Sequence, residues 1–77
     1  MEIVYNQFKK YIEELAECVA YKGNNKKEKI HFYTLAQGAT ELAWRTLDAA
    51  GERELAQKIC DLWNCEMMPK MAKEIWG

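Results

Sequence analysis

Three cysteines (Cys18, Cys60, Cys65), one histidine (His31) and two glutamates three residues apart (Glu14, Glu17) are the side chains of this 77-residue chain best suited to chemistry. Metal binding needs converging ligands. There is no C-x₂-C pair, and Cys60 and Cys65 lie five apart, about 140° around a helix, so they do not grip one zinc ion. His31 has no second ligand one turn away. Nucleophilic catalysis lacks parts as well. The chain has no serine, and Cys18 falls on the apolar side of its helix, where a thiol is usually inert. No glycine-rich phosphate loop is present. The expectation is a protein that is not an enzyme and uses no metal or cofactor.

Glu14 and Glu17 could together hold Mg²⁺ and serve a hydrolase. An E-x-x-E pair of this kind is similar to one half of the carboxylate cluster in helical nucleotide pyrophosphohydrolases, which set an E-x-x-D on the next helix. This chain departs from that pattern: its second helix offers Glu41 and Asp48, seven apart. Both glutamates also lie opposite the apolar sector of helix 1, which reads as a solvated face. A second alternative rests on Lys22, Lys26, Lys27 and Lys29, which with Asn24 and Asn25 could sit on a nucleic-acid backbone. The formal net charge of −1 supplies no field to support that. The helix after Gly51 opens Glu-Arg-Glu, which would repel DNA at the start of a recognition helix.

The surplus in this chain is apolar. From Cys60 to Trp76 it carries Cys60, Leu62, Trp63, Cys65, Met67, Met68, Met71, Ile75 and Trp76, too much for one narrow stripe. Trp and Met are enriched at the centres of interfaces. Trp44, Trp63, Met67, Met71 and Trp76 are therefore the candidate protein-binding residues. The expected function is a small interaction module, a regulator, adaptor or inhibitor. It would bind a second copy as a symmetric homodimer or another protein.

Three helices must position these residues, at about 2–21, 28–50 and 52–76, in one all-α domain spanning 1–77. In helix 1, Val4, Tyr5, Phe8, Tyr11, Ile12, Leu15, Ala16, Cys18 and Val19 share one side at 3.6 periodicity. Gly23 is expected to stop the helix in a left-handed conformation. Asn25 with Glu28, or Thr34 with Gln37, has capping-box spacing for helix 2. Leu35, Ala36, Ala39, Leu42, Ala43, Leu47 and Ala50 are expected to form its core face, so Leu42→Ala should cost about 2–5 kcal/mol. Gly51 allows a tight reversal into helix 3. There Leu55, Ile59 and Leu62 form one stripe, and Ala56, Cys60, Trp63 and Met67 form a second, offset by roughly 80°. Pro69 is expected to kink or break this helix.

A chain this short buries only about 60% of its unfolded surface, so association would be a natural remedy. Apolar residues make up 49% and charged residues 30%, a globular balance rather than a disordered one. An odd number of cysteines suits a reducing compartment. No signal-peptide pattern opens the chain and no apolar run is long enough to span a membrane. These features point to the cytoplasm.

Overall fold

The structure, a computed structural model, describes residues 1–77. Helix α1 covers Glu2–Glu17 and continues as a π turn over Cys18–Lys22. Helix α2 covers Lys26–Ala49. Helix α3 covers Arg53–Leu62, passes through a second π turn at Trp63–Met67, and becomes α4 at Met68–Trp76. These pieces make an all-α bundle of three helical rods, α2 packing on both α1 and α3. The molecule is elongated, 39 × 18 × 14 Å.

The connections follow from local chemistry. At the start of α2 the Asn25 side chain accepts from the Glu28 N–H at 2.9 Å, and the Glu28 carboxylate accepts from the Asn24 N–H at 2.8 Å. This reciprocal cap selects the earlier of the two possible starts, and Ile30–Tyr33 is helical. At the end of α2, Gly51 takes φ +80°. Its N–H donates to the Asp48 carbonyl at 3.0 Å, while that of Glu52 donates to Leu47 at 2.8 Å. This is the paired closure of a Schellman turn, which a residue with a Cβ adopts only under strain. Gly23 differs from expectation. Its backbone is extended at φ −76°, ψ 113°, and what demands glycine there is crowding: a Cβ would meet Lys29 Cγ at 2.5 Å.

The core consists of Ile12, Leu15, Ala16 and Val19 from α1 and its π turn, Ala36, Ala43 and Leu47 from α2, and Leu55, Ala56, Ile59, Leu62, Met67 and Met71 from the third rod. The α2 face is rotated from the expected one. Leu35 and Leu42 are 40% and 60% exposed, and Ala50 is exposed. Thr40 lies inside instead, its hydroxyl donating to the Ala36 carbonyl at 2.8 Å, so its burial leaves no polar group unpaired. The reason is geometric. A helix flanked by two neighbours needs small residues on its inner line so both can approach. Ala36, Thr40 and Ala43 supply them, while Phe32, Tyr33 and Trp44 pack from the sides. The Leu42→Ala expectation is corrected accordingly: that side chain has little burial to lose.

The π turn at Trp63–Met67 resolves the two stripes of the third rod. In an unbroken α-helix, Met67 lies eight residues and roughly 80° away from the line of Ile59. A π turn accommodates one extra residue, a phase shift of roughly 100°. The shift swings Met67 and Met71 back over Ile59, and both are buried, Met71 completely. The expected break is thus present as a π turn ending two residues before Pro69. Pro69 itself falls in the first turn of α4, where its missing N–H costs least.

Candidate functional site

The phase shift begins at Trp63, so Cys60 and Trp63 of the second stripe stay at the edge of the core, while Ala56 is buried within it. Cys60 and Trp63 are half-buried and face α2. Opposite them, α2 presents Tyr33, Gln37, Thr40, Trp44 and Asp48, which recur at three- and four-residue spacing along one flank. Two open depressions result, with Trp44 and Cys60 in the wall of both. One holds about 250 Å³ and is also lined by Gln37, Glu41, Trp63 and Asn64. The other holds about 420 Å³ and is lined by Asp48, Arg53, Ala56 and Gln57. Together they form one groove between α2 and α3, interrupted by the Trp44 ring.

Aromatic contacts extend this face toward the C-terminal end. The Tyr33 ring lies 5.5 Å from that of Trp63 and 5.6 Å, edge to face, from that of Trp76. Both distances fall in the favourable range for aromatic pairs. Trp76 is 54% exposed. The Arg45 guanidinium lies 5.8 Å from the Trp44 ring centroid, within cation–π range. Arg45 also pairs with Glu41 at 2.7 Å, the sole salt bridge of the chain. Burial, with the Asp61 carboxylate beside it, pushes the Cys60 thiol above its ordinary pKa. The groove therefore holds a neutral thiol at neutral pH, a soft apolar wall rather than a nucleophile.

The sequence-derived candidates divide cleanly. Trp44, Trp63 and Trp76 come together on one side of α2, α3 and α4 through the groove and through Tyr33. Met67 and Met71 do not join them: the π turn brings both into the core, which corrects the expectation that they form part of the outer binding surface. Cys60 joins the tryptophans from the second stripe of the third rod, and Tyr33 and Gln37 join from α2, outside the expected set. The signal for those two is the spacing 33, 37, 40, 44 along α2, hidden because the residues are chemically mixed.

The alternative sites are less coherent. Lys22, Lys26 and Lys27 are exposed, but Lys29 is half-buried with its ammonium 3.4 Å from the Glu74 carbonyl. Glu14 and Glu17 line a depression of about 260 Å³ with Cys18, Tyr21 and Lys22. No cluster of three His, Cys, Asp or Glu residues able to hold a metal ion forms anywhere in the fold. The three cysteines are free thiols, and no helix is long and apolar enough to cross a membrane.

Fold and site together define a class: a three-helix bundle bearing an aromatic groove on one flank. Comparisons with protein-family models, with curated proteins and with solved structures find no match for this chain.

Proposed function

We propose that this chain is a small intracellular protein-interaction module, not an enzyme, whose binding face is the groove around Trp44. The observation that carries this reading is the gathering of Trp44, Trp63 and Trp76 on one side of the bundle. The groove sets Trp44, Trp63, Cys60 and Ala56 among the polar side chains of Gln37, Gln57, Asn64, Asp48 and Arg53. That is the anatomy of a hot-spot region, where an aromatic anchor sits in an apolar centre enclosed by groups that exclude water. Lying between two helices, the groove fits an amphipathic helix of another protein, read by its i, i+3 and i+4 side chains. Three free thiols are the support for an intracellular setting.

The test is selection from a display library of random helical peptides. Peptides recovered on the wild-type chain are expected to bind Trp44→Ala at least tenfold more weakly and to shift the tryptophan emission on binding. Recovery only of peptides indifferent to Trp44→Ala and Trp63→Ala would overturn the assignment.

A further inference from the structure

On the flank of α2 roughly 160° around the helix from Trp44, a different surface remains. Leu35 and Leu42, seven residues apart, are 40% and 60% exposed. Between them lie Gly38 and Ala39. Glycine is unfavourable inside a helix, and nothing within the molecule calls for it here: its backbone φ is ordinary, and a Cβ would meet no atom within 4 Å. Two exposed leucines around a backbone stripped of side chain make a seam onto which another helix can press closely. We propose that this seam, Leu35–Gly38–Leu42, is a self-association surface on which α2 of a second copy lies antiparallel, related by a two-fold axis beside Gly38 and Ala39.

Several observations select a second copy as the occupant. Leu35 and Leu42 are equidistant from the step between Gly38 and Ala39, so a two-fold axis there sets Leu35 of each protomer against Leu42 of the other. That is the self-complementarity an isologous interface requires. Charge agrees. Between His31 and Ala49, α2 carries Glu41 and Arg45, tied to each other at 2.7 Å, and Asp48, which turns to the groove. The centre of the seam therefore brings no like charges together. At its ends, antiparallel packing sets the exposed Lys27 of one protomer near Glu52 of its partner, and it opposes the two helix dipoles favourably. Only 14 of 77 residues are buried in the single chain, and a second copy would extend that small core.

The surface is independent of the aromatic groove, and the two fail separately. Sedimentation equilibrium from 1 µM to 1 mM, under reducing conditions, is the experiment, and the concentrations are those of the full chain. A dimer is expected, with association at least tenfold weaker in Leu42→Glu and unchanged in Trp44→Ala. Because Leu42 is exposed in the protomer, Leu42→Glu should keep the wild-type far-ultraviolet circular dichroism, and Leu35→Glu provides a second variant should it not. A wild-type monomer throughout the range would overturn the proposal, as would a dimer insensitive to both substitutions or one lost in Trp44→Ala.

Discussion

Side chains of one type have sharply different standing in this molecule. Met71 is wholly buried, while Leu42, the more hydrophobic in pattern, is 60% exposed. Met71→Ala is expected to cost about 2–5 kcal/mol of stability in urea denaturation, as large-to-small core substitutions do. Leu42→Ala, measured in the same way at a concentration that keeps the chain monomeric, should stay within about 0.5 kcal/mol of wild type. The thiols divide similarly. Cys65 is exposed, and Cys60 is half-buried with its pKa raised by burial and by Asp61. A disulfide reagent at pH 8 should therefore modify Cys65 well before Cys60. The sign of the linkage follows. Since the folded state holds the Cys60 proton more tightly than the unfolded chain, its contribution is fully present below the ordinary thiol pKa. It is lost as pH rises through the raised folded value. Serine in place of Cys60 should flatten that alkaline decline of the thermal melting temperature.

Elements were legible in the sequence to different depths. The amphipathic pattern of α1, the Asn25–Glu28 cap and the Gly51 reversal were readable, because each depends on residues within one or two turns. The inner face of α2 was not. It is chosen by two neighbouring helices that require small residues at the contact, whereas the periodicity of leucine marked the outer flank. The fate of Met67 and Met71 was hidden for another reason. Hydrophobic phase was counted at 100° per residue through a segment that contains a π turn. Two deletions, both made in a Pro69→Ala background, separate phase from local strain. Removing Cys65 takes the extra residue out of the π turn, so the segment can become α-helical with Met67 and Met71 still over Ile59. That variant should fold. Removing Gln57, exposed within α3, shifts everything after it by roughly 100° and should leave no cooperative thermal transition. Equal tolerance of the two deletions would show that the phase of the third rod is not what the π turn serves.

For the whole molecule, α2 is the organising element. Its inner line holds α1 and α3 together. One flank carries Trp44 and the groove with α3, and the opposite flank carries Leu35, Gly38 and Leu42. This placement bears on the three alternatives open at the level of residue types: metal chemistry, phosphate contact and protein binding. Lys29 is engaged with the Glu74 carbonyl and Arg45 with Glu41, while Trp44, Trp63 and Trp76 are gathered on one side of the bundle. A dimer joined along α2 would turn its two aromatic grooves outward, presenting two equivalent sites to helical partners and so a gain from avidity.

The assignment of the two flanks of α2 to different partners is tested most directly by following the three tryptophan indole N–H resonances and the α2 amides in one ¹⁵N–¹H correlation series. On dilution from 1 mM to 10 µM, shifts are expected at amides between His31 and Thr46, with the indole signals of Trp44, Trp63 and Trp76 fixed. On addition of a groove-selected peptide, the Trp44 and Trp63 indole signals should move. Indole signals that move on dilution, with the Leu35–Leu42 amides still, would contradict the account by placing self-association in the aromatic groove.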